Sequence, residues 1–214
     1  MTTSPSDGTT HNNHEVSRAR TSKLVLASAS PRRKDLLSQI SLDPDIIDPA
    51  DIDETSALDE NPKSYALRIS REKAETVAKR HHGNLILSAD TVVACGNRIL
   101  PKAEDQQTAV KCLHMLSGRR HRVLTGMALV LPNNRIIQKV VTTTVAFKPL
   151  SAADIDRYIK SNEWNGKAGG YAIQGLGACF VRFISGSYSN VVGLPLFEVN
   201  GWLEAHLFQE HDYD

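Results

Sequence analysis

Long apolar runs, paired cysteines, aromatic rings and net charge are all scarce in this chain of 214 residues. No stretch approaches the ~20 consecutive apolar residues that a membrane-spanning helix requires, so no membrane partner is expected. The first residues also lack the apolar core of a secretory signal, which leaves the cytoplasm as the expected compartment. Three cysteines, Cys95, Cys112 and Cys179, are an odd number without metal-like spacing. That argues against a disulfide framework or a cysteine-rich metal site and fits reduced thiols. A formal net charge of +1 removes any whole-molecule attraction for a polyanion. With aromatics at only 6 % and no aromatic-basic surface pattern, stable nucleic-acid binding is not expected, and any phosphate chemistry must come from a local cluster.

What is present is a normal apolar complement, 41 % of residues, enough for one medium α/β unit or two closely joined lobes. Residues 1–22 are rich in Ser, Thr, Asn and His with almost no large apolar side chains, so a disordered N-terminal arm is expected there. His11 and His14 in that arm have no further ligand nearby and read as solvated rather than metal-binding. The folded domain is placed at 23–208, with a short tail at 209–214.

Periodicity and punctuation predict a strand over 23–27, a helix over 31–40, a short strand over 44–48 and a long helix over 62–80. An apolar strand at 85–93 should pair back through Gly96 onto 97–100, and 104–116 has helical spacing. Two β-branched runs, 121–131 and 136–147, flank Pro132-Asn133-Asn134 as a hairpin. A helix over 151–161, a glycine-rich passage 166–177, a strand over 178–184, a loop over 185–193 and a helix from Pro195 complete the chain. Alternating helices and strands with a central hairpin predict a mixed, twisted sheet flanked by helices.

The sequence Leu24-Val25-Leu26-Ala27-Ser28-Ala29-Ser30-Pro31-Arg32-Arg33 runs a strand into a small-residue turn and then a helix start. Ser30 suits the N-cap and Pro31 the first helical position. Arg32 and Arg33 then stand where the helix dipole is already positive, at a cost of about 0.3–1 kcal/mol each. A bound phosphate reverses that sign, since the backbone N–H groups, the dipole and a bidentate guanidinium all favour it. Two screened surface arginines are the plainer alternative.

Five further features carry chemistry. On the 62–80 helix, Tyr65, Ala66, Ile69 and Val77 form an apolar stripe with Lys73 in its middle, so Lys73 must snorkel, pair, or point into a cleft. Asp90 lies near the end of an apolar strand, where clefts of α/β sheets open, and needs a metal, a cation or hydrogen bonds if buried. Asp51, Asp53 and Glu54 offer hard oxygens of the kind Mg²⁺ or Mn²⁺ accepts, although a short acidic loop is usually just solvated. Lys102, after Pro101, either serves the following helix or reaches a phosphate. The glycine-rich passage lets backbone approach a ligand, and Gln174 within it offers both donor and acceptor to a base edge. It lacks the strand and helix of a dinucleotide fingerprint, which excludes a Rossmann reading.

Taken in order, Ser28-Ala29-Ser30-Pro31-Arg32-Arg33, Ile52-Asp53-Glu54, Ser70-Arg71-Glu72-Lys73-Ala74, Ala89-Asp90-Thr91, Leu116-Ser117-Gly118, Lys167-Ala168-Gly169-Gly170-Tyr171 through Gln174-Gly175, and Gly186-Ser187-Tyr188 through Gly193-Leu194-Pro195 form one series. It resembles the Maf-like nucleoside triphosphate pyrophosphatases, once named septum-formation inhibitors, over about residues 23 to 208. The resemblance implies a two-lobed, inosine triphosphatase-like α/β fold with an active-site cleft. It also implies cleavage of a nucleoside triphosphate to monophosphate and pyrophosphate with a divalent cation, Mg²⁺ or Mn²⁺, in a homodimer. Carried over motif by motif, Asp90 resembles the general base or metal-linked catalytic carboxylate and Glu54 a metal-side carboxylate. Ser28, Arg32, Arg33, Lys73 and Lys102 resemble triphosphate contacts, with Lys73 and Lys102 counted among the catalytic groups. Thr91 and Gln174, with Arg32, resemble the positions that sort nucleobases, and their identities resemble the dTTP and UTP branch, modified pyrimidines included. The alternatives are the 7-methyl-GTP branch and a non-catalytic nucleotide-binding regulator of septum formation, linked to division arrest.

Overall fold

The apolar run at the start of the domain forms β1 (Leu24–Leu26), buried along its length, and Pro31 opens α1 (Pro31–Gln39) five residues later. In this computed structural model, which describes residues 20–208, β2 (Ile46–Ile47) returns parallel to β1. Helix α2 (Pro62–Ala78) starts where Asn61 Oδ1 accepts from the N–H groups of Lys63 and Ser64, with Pro62 in the first turn. The next strand, β3 (Leu85–Cys95), turns at Gly96 into β4 (Arg98–Leu100), and the two-residue β5 (Lys102–Ala103) follows. Then come α3 (Gln106–Leu116), the long hairpin β6 (Arg120–Val130) and β7 (Ile136–Phe147), and α4 (Ala152–Lys160), which carries a Ser151/Asp154 capping box. The chain ends with β8 (Lys167–Ala168), a 3-10 turn at Leu176–Phe180, β9 (Val181–Ser185), α5 (Tyr188–Val192) and α6 (Leu196–Leu207).

Among the described residues seven strands form one mixed sheet in the order β2-β1-β3-β6-β7-β9, with β4 beside β3. Only the β1 pairings are parallel; the rest are antiparallel. The period of two along β3 divides the interior. Leu85, Leu87, Ala89 and Val93 enter the main core with α3, α4 and α6, while Ile86, Val92 and Ala94 face α2. The mixed sheet with flanking helices is as expected.

One consequence of the pairing builds the cleft. β1 matches only Leu85–Leu87 of β3, and β4 matches only Val93–Cys95, so the middle of β3 has no strand on that side. Asp90 sits in that gap. The expected strand end near residue 93 is therefore corrected: β3 continues to Cys95, and Asp90 lies mid-strand, lining a cleft that opens because β1 stops at Leu26. This is a switch point of the sheet, where the chain after β1 turns away from the strand direction.

Three other expectations change. The first half of the predicted 178–184 strand is a 3-10 turn, because Ala178 N–H closes on Gly175 and Phe180 packs edge-on against Phe147 and Tyr158. The predicted 185–193 loop holds the short α5, capped where Ser187 Oγ accepts from Asn190 N–H. The β5/β8 ribbon was not expected, since two-residue strands carry no periodicity. Within the expected arm, Arg20 bridges to Phe208 and donates to Asp45 at 2.9 Å. The rest of that arm, His11 and His14 included, and the 209–214 tail lie outside the described residues.

Candidate active site

Burying an ammonium on an apolar helix face requires acceptors, and Lys73 has two. Its Nζ donates to Asp90 Oδ1 at 2.7 Å and lies 2.8 Å from Glu54 Oε1; Lys102 Nζ meets the other Glu54 oxygen at 2.6 Å. Asp90 is 4 % and Lys73 8 % exposed, so this pair lies largely out of water. Of the three outcomes open to Lys73, pairing at a cleft is the one realised. Burial acts to raise the Glu54 carboxyl, yet the Lys102 and Lys73 ammoniums together hold it below the usual carboxylate range.

α2 reaches β3 this closely because of a glycine. Gly126 of β6 is the register partner of Asp90, and a Cβ there would overlap the Ala66 carbonyl of α2. With no side chain at that point the helix backbone lies directly on the sheet, and Lys73, two turns on, comes within reach of Asp90.

The turn after β1 forms the adjoining wall. Ser30 occupies the N-cap position of α1 but makes no side-chain cap bond; its own N–H donates to Ser28 Oγ at 3.3 Å. Arg33 is held by neutral oxygens: Gly193 O at 2.9 Å, Ser28 Oγ at 2.8 Å and Thr91 Oγ1 at 3.3 Å. Burial pushes its guanidinium down, Asp90 pulls it back up, and Arg32 opposes it. Arg32 is also pushed down by burial.

Thr91 follows Asp90 in β3 and so faces the opposite side of the sheet. Its hydroxyl lies 3.0 Å from Thr125 Oγ1 as well as near Arg33, and Thr125 Oγ1 donates to the Asn190 carbonyl. Asn190 is fully buried and donates to Val123 O and Thr143 Oγ1 at 3.1 and 2.9 Å. Sequence reasoning missed this Thr125-Thr143-Asn190 layer; its only trace was Thr125 and Thr143 inside strand patterns, with Asn190 falling in the predicted 185–193 loop.

All nine candidate residues line one cleft of about 410 Å³: Ser28, Arg32 and Arg33 from the first turn, Glu54, Lys73, Asp90 and Thr91 from the sheet and α2 side, and Lys102 and Gln174. Its volume falls within the range of small-molecule sites. Asp51 and Asp53 do not line it, and Asp53 instead accepts from Thr55 N–H at 2.8 Å. Lys167 and Tyr171, quoted only within a longer motif, also line it.

Tyr171 is anchored from behind, 2.8 Å from His121 Nε2, and His121 is 2 % exposed between the rings of Phe147 and Tyr171. Burial pushes His121 down to about 4. The unfolded chain therefore takes up this proton at a higher pH than the fold does. Stability from the neutral histidine is complete above about pH 6.5 and should decline by about 3 kcal/mol as pH falls towards 4. Urea titrations between pH 7 and 4 should show that slope in the wild type and a shallower one in His121→Gln; parallel curves would exclude His121 as the source.

Among the described residues no group of three or more His, Cys, Asp or Glu side chains could hold a metal. Asp90 and Glu54 are nevertheless hard carboxylates sharing one cleft wall, the donor type Mg²⁺ accepts when substrate phosphates supply further oxygens. The residues present fit a divalent cation held jointly with a ligand, and not a self-sufficient protein cage.

Residues 23–206 match a family described as Maf-like protein. A dTTP/UTP pyrophosphatase of Rhodospirillum rubrum is 64 % identical over 180 residues, covering 84 % of this chain and 86 % of that protein. A dTTP/UTP pyrophosphatase of Caulobacter vibrioides is 57 % identical over 175 residues, covering 82 % and 91 %. Among solved structures, a HAM1 protein from Coxiella burnetii is 18 % identical with a TM-score of 0.43, covering 86 % of this chain and 99 % of that one.

Proposed function

Since the chain belongs to the Maf-like family, we propose that it is a nucleoside triphosphate pyrophosphatase that hydrolyses dTTP and UTP to the monophosphate and pyrophosphate. The observation that carries this reading is the Glu54-Lys73-Asp90-Lys102 cluster in one cleft with the 28–33 turn. Carboxylates to handle a proton and cations to receive a polyphosphate are what anhydride hydrolysis requires.

Asp90 accepts a proton from the attacking water while the anhydride between the α and β phosphates breaks, and pyrophosphate leaves with the bonding electrons. Lys73 holds the Asp90 carboxylate in place. Lys73, Lys102 and Arg33 then meet the charge that builds on the leaving oxygens, in a site where burial makes such preorganised charge most effective. A divalent cation, held by Asp90 and Glu54 with phosphate oxygens, would supply charge neutralisation there. Gln174, exposed at the cleft rim, takes the edge of the base. Thr91 acts on selectivity from the other face of β3, beside Arg33. A cytoplasmic homodimer completes the reading; among the described residues no helix is long and apolar enough to cross a membrane.

The test is incubation with dTTP, UTP, CTP, ITP and 7-methyl-GTP plus Mg²⁺, followed by pyrophosphate and monophosphate assay. Release of both products from dTTP and UTP is the expected result, and none from any of the five by folded protein would leave a non-catalytic nucleotide binder. For selectivity, the double variant Thr91→Gln, Gln174→Glu should lower kcat/KM for dTTP and UTP by about tenfold or more, because an edge contact is lost and a charge faces the base. Unchanged ratios among the five nucleotides would mean that the base is read elsewhere.

A further inference from the structure

Among the described residues five cations line the cleft against two carboxylates, and they are not equivalent. Lys73 lies between Asp90 and Glu54, Lys102 ends on Glu54, and Arg33 is held by three neutral oxygens. Arg32 and Lys167 remain. Among the described residues the Arg32 side chain makes no hydrogen bond or ion pair, and Lys167 Nζ donates only a long bond of 3.3 Å to Asn165 O. Burial pushes the Lys167 ammonium down, and the Arg32 charge pushes it further. The acid that opposes this, Glu163, is committed elsewhere: its Oε2 accepts from Leu176 N–H at 2.7 Å.

The fold keeps these like charges together. Lys167 belongs to β8, paired with Lys102–Ala103, and the flanking backbone is tied down by Gly166 N–H to Ala103 O at 2.8 Å and Gly169 N–H to Pro101 O at 3.0 Å. Gly169 has φ +65 and lies where a Cβ would press into Val93, so the ribbon has little freedom to carry Lys167 away. Arg32 stands in the first turn of α1, where its charge opposes the dipole. Two partly desolvated cations without an acid destabilise each other, and an anion between them reverses the sign. Neutral base edges cannot do this.

Resting on the reading of the cleft as a nucleoside triphosphate site, we infer that Lys167 is a substrate-binding residue that grips the phosphate chain together with Arg32. This grip is separate from the carboxylate-bound Lys73 and Lys102. It contributes binding to ground state and transition state alike, so its loss should appear in KM and leave kcat nearly intact.

The experiment is calorimetric titration of inorganic tripolyphosphate into wild type, Lys167→Gln and Lys167→Arg, with steady-state kinetics on dTTP and UTP and melting curves for each. Lys167→Gln should weaken tripolyphosphate by about tenfold to a hundredfold and raise KM for both nucleotides by the same factor, the loss expected of one charge-assisted contact. Lys167→Arg should restore most of both, and all three proteins should melt together. Wild-type tripolyphosphate affinity in Lys167→Gln would overturn the inference, as would an early-melting Lys167→Gln whose defect Lys167→Arg does not repair. If wild type binds tripolyphosphate through Lys167 yet hydrolyses neither dTTP nor UTP, the activity proposed above fails and the phosphate grip stands.

Discussion

Asp90→Asn should lower kcat for dTTP and UTP by about 10²–10⁴, the range spanned by a lost general base, while nucleotide affinity changes by less than about tenfold. Asparagine keeps the shape of the side chain and can still accept from Lys73, whose Nζ retains Glu54 at 2.8 Å. The cations of the 28–33 turn and the β5/β8 ribbon are untouched. A variant with wild-type turnover would show that the proton leaves by another route and would remove Asp90 from the mechanism. Lys73→Met is a poorer probe. In the structure its removal strands a carboxylate that is 4 % exposed, which costs about 3–5 kcal/mol of stability.

Gly126→Ala should damage both fold and activity although Gly126 does not line the cleft. The new methyl group would occupy the space of the Ala66 carbonyl, so α2 must lift away from β6. Overpacking of this kind costs about 1–3 kcal/mol or more, and displacing a catalytic group by an ångström can cost about 10² in rate. Both effects are expected here, because α2 also carries Lys73. Thermal melts read the first effect and kcat the second. An alanine variant with wild-type melting temperature and turnover would mean that α2 is not positioned by this contact.

The site was legible in the sequence to the extent that each residue violated a local rule. Lys73 interrupted an apolar stripe, Asp90 stood in an apolar strand, and Arg32 and Arg33 sat at the wrong end of a helix dipole. Each violation marked a residue that needed a partner without naming it. Lys167 broke no rule, since a lysine among glycines looks like any solvated loop residue. Its position became visible only when β8 paired with β5 and left it in the cleft with Arg32. Asp90 and Thr91 were given different roles, catalytic carboxylate and base-sorting position, and the alternation of β3 sends their side chains to opposite faces.

The elements themselves followed closely from periodicity where they were long. β6, β7, α2 and α3 began and ended within about three residues of expectation, as strongly patterned segments do. The short ones, β5, β8, α5 and the 3-10 turn, did not, because their stability comes from ring packing at Phe180, the cap at Ser187 and pairing across about 65 residues of chain. Residue types and their order thus sufficed for a mixed α/β sheet, a turn with two cations at a helix start and a set of groups in search of partners. Which carboxylate meets which ammonium, and which cations keep no acidic partner among the described residues, was decided by the early end of β1, the bare backbone at Gly126 and the β5/β8 pairing. Those are distances between segments far apart in the chain, and local pattern carries no information about them.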